Sequence, residues 1–233
     1  MSDYDLYYWS VPFRGQFVRA VLAHAGKTWS EGGDEKIAQL MGGPVADMLV
    51  PFMGPPVLVD KKDDVAISQM PAIVLYLGDT LDLLPASASL RALAIKVVND
   101  ANDVLDEITQ DGGREMWTEK SWHEFQPRLE KWMSFWEELG RRHGLKADAG
   151  FLLGGDSATV ADIVTATLWS TMTDRLPPIA PILKRVAPNT AALVERMAAT
   201  PALARLAADS RKQYGNAYCG GEIEKSLRKV LKA

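Results

Sequence analysis

A small mixed α/β domain followed by an all-helical domain is the architecture the 233-residue sequence predicts, and three observations carry it. Strand-type runs of β-branched and aromatic residues are confined to the early part of the chain. Pro51 to Tyr76 reads as strand, charged turn, strand and helix with little slack between them. From Leu90 onward no strand pattern remains, and apolar residues recur at helical spacing.

In chain order, Leu6 to Trp9 form a short aromatic strand broken by Ser10 and Pro12. Phe17, Val18, Val21, Leu22 and Ala25 then mark one face of a helix from Arg14 to Ala25, which Gly26 ends as a left-handed cap. Thr28 to Ser30 give a second strand, and Asp34 to Leu40 a weak helix. The Gly/Pro-rich stretch to Met53 receives no element. Val57–Val59 and Val65–Ile67 flank the charged turn Asp60–Asp64 as a hairpin, and Pro71 suits the first turn of the helix that follows. Pro56, tight against the hairpin, is a candidate cis-proline, because X-Pro bonds alone adopt cis at modest cost. The order is β-α-β-α-β-β-α, with helices on both faces of the sheet, closing near Leu84.

Leu84 to Ser89 is a linker by composition, so the domains expected are 1–84 and 90–233. Leu90, Val97, Ala101, Leu105 and Ile108 lie on one helical face, and Trp122, Leu129, Trp136 and Leu139 on another; both are core stripes of two long antiparallel helices. Thr159 and Asp162 form a capping-box variant, which makes Asp162 a buried structural carboxylate. Pro188–Tyr214 and Glu222–Leu231 complete the helices.

Composition narrows the function. A net charge of −4 and a pI near 5.5, without a basic cluster, argue against nucleic acid as a partner. The opening MSDYDLYYWS carries two aspartates and no basic n-region, and the low-charge stretch Ala158–Thr173 is interrupted by Asp162; no secretory signal and no membrane span are expected, and a cytoplasmic location is. Three scattered histidines offer no metal-ligand spacing. The single cysteine, Cys219, permits no internal disulfide and reads as an incidental thiol.

The pattern Pro56-x-Leu58-x-Asp60, charged turn, Ser68-Gln69-x-x-Ala72-Ile73-x-x-Tyr76-Leu77 resembles the glutathione-binding half of cytosolic, bacterial-like glutathione transferases, whose first domain is similar to thioredoxin. The capping box resembles that family's helical-domain motif, so the resemblance spans the two-domain plan. It implies glutathione as co-substrate, a small electrophile or a peroxide as second substrate, a detoxifying role and a homodimer. The alternative it permits is a non-catalytic binding or scaffold module of the same fold. Carried over by position, Pro56 is the cis-proline and Gln69 the γ-glutamyl contact. Pro55 stands where the family pairs a backbone N–H and C=O with glutathione, and has no N–H to offer. Met70 stands where the family has a hydroxyl at the γ-glutamyl carboxylate. These departures imply weakened glutathione affinity.

A thioredoxin-like domain places its reactive group where the first strand meets the first helix, and here that segment has no cysteine. A hydroxyl must then stabilise the thiolate that glutathione brings. Tyr8, eleven residues before Arg19, matches the tyrosine-type spacing; Ser10, two before Pro12, resembles the serine type and is placed first on position. Arg14, a cation at a helix N-terminus, is a candidate for a glutathione carboxylate. Trp9, Phe13, Met116 and Trp117 are candidates for an apolar acceptor pocket, with core packing the competing reading for each.

Overall fold

The computed structural model describes residues 2–233. Strand β1 (Tyr4–Tyr7) and β2 (Trp29–Glu31) run parallel through the crossover helix α1 (Phe13–His24); after α2 (Asp34–Gly42), β3 (Val57–Asp60) and β4 (Val65–Ser68) form the hairpin, and α3 (Met70–Thr80) follows at once. The sheet order is β2-β1-β3-β4, with β3 antiparallel to β1. Each expected element is present, and Gly26 caps α1 with φ +66°. Asp60 closes the hairpin turn by accepting the amides of Lys62 and Asp63, and the Tyr76 hydroxyl donates to it at 3.0 Å, tying α3 to the turn.

Beyond Leu84 the chain is helical: α4 (Ala88–Ile108), a single turn α5 (Gln110–Gly113), α6 (Glu119–Arg142), α7 (Val160–Arg175), α8 (Ala180–Val186), α9 (Pro188–Ala198), α10 (Pro201–Tyr214) and α11 (Gly221–Leu231). The region read as one unit from Pro188 to Tyr214 is two helices, because Pro201 cannot continue α9 but suits the first turn of α10. Helix α7 is buried nearly all round, and it packs on α1, α4 and α9. Trp136 of α6 meets it edge-to-face against Trp169, and the Trp136 indole N–H donates to the Thr165 hydroxyl at 2.9 Å.

The cap of α7 is closed. Asp162, fully buried, accepts the amides of Leu152 at 2.7 Å and Thr159 at 2.9 Å and the Thr159 hydroxyl at 3.0 Å, while that hydroxyl accepts the Ala161 amide. Burial pushes the Asp162 carboxyl up in spite of these donors. Among the described residues no helix is long and apolar enough to cross a membrane, and no group of three or more His, Cys, Asp or Glu could hold a metal ion.

Candidate functional site

The sheet register assembles one edge from three distant positions. Tyr7 is opposite Val57, and Val57 is opposite Ser68. The next residues outward are therefore Tyr8, Pro56 and Gln69. The Pro55–Pro56 bond is cis, and Gln69 stands at φ +74°, a region that non-glycine residues rarely occupy and that functional sites favour. The N-terminus of α3 begins immediately after Gln69, so free amides converge on this edge.

Tyr8 is buried, its ring lying across Gly15 so closely that a Cβ there would come within 2.4 Å of it. Its hydroxyl accepts the Arg14 amide at 3.1 Å and donates to no acceptor among the described residues. Burial pushes the phenol up to about 12, against the pull of the Arg14 and Arg19 cations, so at neutral pH it keeps its proton. Ser10, by contrast, is committed elsewhere: its amide and its hydroxyl both donate to Asp34 Oδ1, at 2.9 and 3.0 Å. That pair fastens the β1–α1 loop to α2.

Arg14 is a bridge between the two parts of the chain. Its Nε donates to Asn102 Oδ1 at 3.1 Å and its terminal nitrogen pairs with Asp106, both on α4. The charge that is misplaced at a helix N-terminus, a candidate for a glutathione carboxylate, has an acidic partner within this protein. Arg19, buried, forks onto Glu31 at 2.8 and 3.0 Å and holds the Val11 and Pro12 carbonyls. It fixes the loop that carries Tyr8 into α1.

Packing decides the place of two other candidates. The Met70 side chain is fully buried in the core with Ile73 and Leu77, so it does not face the sheet edge; only its backbone N–H remains for a ligand. Trp117 is also a core residue. Its indole N–H donates to the Ile108 carbonyl at 2.9 Å and its ring packs against Trp122 and Phe125. Met116 is exposed, beside Gly113 rather than Tyr8. Trp9 lies half-buried on the core, and Phe13 is buried at φ +22°. Pro55 is half-buried at the edge and Gln69 is exposed.

The sequence missed a segment that packs on the β1–α1 loop. Between α10 and α11 the chain returns to the β1–α1 loop: Tyr218 is buried edge-to-face on Phe13 at 5.4 Å, and its carbonyl accepts the Phe13 amide. Gly220 packs on Val11, and the Cys219 thiol lies within electrostatic reach of Tyr8 and Arg14. One side chain holds this strap. Glu224 Oε2 accepts the amides of Tyr218, Cys219 and Gly220 at 2.9, 2.9 and 2.6 Å, and Oε1 takes Arg228. Burial alone would raise the Glu224 carboxyl; the Gly220 and Tyr218 amides and Arg228 outweigh it and leave the group below its ordinary value. The strap's anchorage is therefore complete above the unfolded value of about 4.3 and is lost as pH falls through the lower folded value. Burial pushes the Cys219 thiol up to about 12, which makes it a poor nucleophile. In wild type at pH 8, Cys219 is expected to react with an aromatic disulfide reagent far more slowly than a free thiol. Glu224→Gln should speed that reaction by at least tenfold; equal rates would show that the strap is held without the carboxylate.

The family model described as "Glutathione S-transferase, C-terminal domain" matches residues 93–230, more than half of the chain. The chain belongs to the glutathione transferase family. Solved structures of that family share the fold. A Pi-class glutathione S-transferase of Onchocerca volvulus aligns at TM-score 0.76 with 17% identity over 95% of this chain and 99% of its own. The monomeric Na-GST-3 of the hookworm Necator americanus aligns at 0.71 with 22% identity over 88% and 96%, and a Nu-class GST of Haemonchus contortus at 0.67 with 24% over 89% and 97%. A search of curated proteins by sequence finds no significant match. Within the glutathione transferase fold, Tyr8, the cis-proline and Gln69 stand together at the sheet edge, while the Ser10 hydroxyl is bound to Asp34 and the side chains of Met70 and Trp117 lie in the core.

Proposed function

We propose that the protein is a cytoplasmic, detoxifying glutathione transferase that adds glutathione to small electrophiles, or spends it on peroxides, with Tyr8 as the donor to the thiolate. The observation that carries this reading is the Tyr8 hydroxyl: an N–H feeds its lone pair, its own proton is uncommitted, and burial keeps that proton in place. A phenol so placed donates to a thiolate, and the stabilisation lowers the thiol pKa by about one unit per 1.4 kcal/mol. The thiolate sulfur then attacks the electrophilic carbon and the leaving group departs with its electron pair. Glutathione would lie along the edge, its backbone on the Pro55 carbonyl and its γ-glutamyl end on Gln69 and the Met70 amide. With no N–H on Pro55, one bond is missing and affinity is reduced. This ordering of Tyr8 above Ser10 reverses the one that position in sequence favoured.

A non-catalytic module is the second reading, supported by the same missing N–H and by the strap packed on the β1–α1 loop beside Tyr8. Retention on immobilised glutathione with elution by free glutathione tests binding, and conjugation of 1-chloro-2,4-dinitrobenzene tests activity. Binding without turnover would establish the second reading in place of the first.

A homodimer belongs to the proposal. Exposed apolar side chains cluster in the stretch after α2, where Met53 is 91% exposed and Val45 63%, and a second pair, Ile95 and Phe135, is exposed on α4 and α6. Each wants cover. Light scattering at micromolar concentration is expected to give a dimer mass for wild type and a monomer mass for Met53→Asp. A monomeric wild type, as in the Necator americanus relative, would end this part of the reading.

A further inference from the structure

A groove of about 670 Å³ runs between α1, β2 and α10, and none of Tyr8, Pro56 or Gln69 lines it. Its size is within the range of small-molecule sites, about 300–1,000 Å³. Two aromatic rings in its walls are already held in place. The Trp29 indole N–H donates to Glu31 Oε1 at 2.8 Å, and the Arg19 guanidinium lies 5.2 Å from the centre of the Tyr214 ring. Both rings are half-buried, so each keeps surface open to the groove. Pro201, Ala202 and Leu206, at the start of α10, add apolar surface. A ligand that stacks on rings already fixed loses little to their ordering.

Five charged side chains line the same groove. Arg19 and Glu31 neutralise one another through two bonds, at 2.8 and 3.0 Å. Lys27, half-buried, and Arg205, exposed, make no ion pair or side-chain hydrogen bond among the described residues. Asp209 in the groove and Asp3 outside it temper these cations without pairing with them. Within the groove, one positive charge is left unbalanced.

We propose that the groove is a second ligand site, for a flat aromatic monoanion. The ring system lies against Trp29, Tyr214 and the apolar start of α10, where stacking removes aromatic surface from water. The acid group takes Lys27 and Arg205 through charge-assisted hydrogen bonds. A neutral aromatic leaves both cations as they are, and a dianion brings its second charge against Asp209 and Glu31.

Calorimetry with 2-naphthalenesulfonate tests the site, with the nearly isosteric, uncharged 2-naphthalenesulfonamide as control. One sulfonate per chain is expected, bound at least tenfold tighter than the sulfonamide and not displaced by glutathione. Added salt should weaken the sulfonate, because the two cations stand at the surface. Lys27→Gln combined with Arg205→Gln should weaken the sulfonate at least tenfold, remove the salt dependence and leave the sulfonamide unchanged. Ala202→Trp, at the half-buried start of α10, should fill the groove and abolish binding of both probes. Circular dichroism and melting temperature establish that each variant is folded. No sulfonate binding at millimolar concentration overturns the proposal, as does equal affinity for the sulfonamide. So does binding that survives either set of substitutions, or displacement by glutathione, which would put the probe at the Tyr8 edge.

Discussion

Tyr8→Phe is expected to lower kcat/KM for glutathione conjugation by about 10- to 100-fold. The substitution removes one charge-assisted hydrogen bond, worth roughly 1.5 to 3 kcal/mol, and each factor of ten takes about 1.4. The phenyl ring still fits over Gly15, so packing is retained. The sign of the pH effect is fixed by which species the bond favours. A donor stabilises the thiolate over the thiol, so its loss raises the bound thiol's pKa and moves the acid limb of the rate profile upward by about one to two units. Ser10→Ala should leave that limb in place, because its hydroxyl already donates to Asp34. A wild-type profile in Tyr8→Phe alongside a shifted one in Ser10→Ala would overturn the assignment.

Asp162→Ala is expected to be the most destabilising single change, by about 3 to 5 kcal/mol in chemical denaturation. It strips the partner from the Leu152 and Thr159 amides and from the Thr159 hydroxyl, and a buried donor left unpaired costs about 1 to 3 kcal/mol. That is a large share of the 5–15 kcal/mol typical of a folded domain. Asp162→Asn, which keeps one acceptor oxygen, should lose less. Equal losses for the two variants would mean that shape rather than hydrogen bonding decides the cap.

The hairpin, the Pro71 helix, the Gly26 cap and the α7 capping box were legible because each is written within a few neighbouring residues. The row of Tyr8, Pro56 and Gln69 needed the strand register, which the sequence did not supply. What the sequence hid is contact between remote positions. The Ser10 bond to Asp34 spans 24 residues, and the Arg14 bonds to Asn102 and Asp106 span 88 and 92. Nothing local distinguishes a free hydroxyl or cation from one already engaged. The burial of the Met70 side chain was hidden for another reason: at a helix start, one residue of rotation decides whether a side chain meets solvent or core. Helix α8 received no element from the sequence; it begins at Ala180 with Pro181 in its first turn, where proline is accommodated.

The strap gives the molecule an order of assembly. A ribosome delivers Tyr8, Pro56 and Gln69 early, and their row forms from strand pairing alone, while Tyr218 and Glu224 emerge about two hundred residues after Tyr8. Closing so long a loop costs little more than closing a shorter one, since each doubling adds only about 0.6 kcal/mol, so the late arrival is affordable at equilibrium. It is felt in time instead: distant contacts form slowly. Whatever the order of events, the strap closes only once Glu224, in the first turn of α11, gathers its three amides.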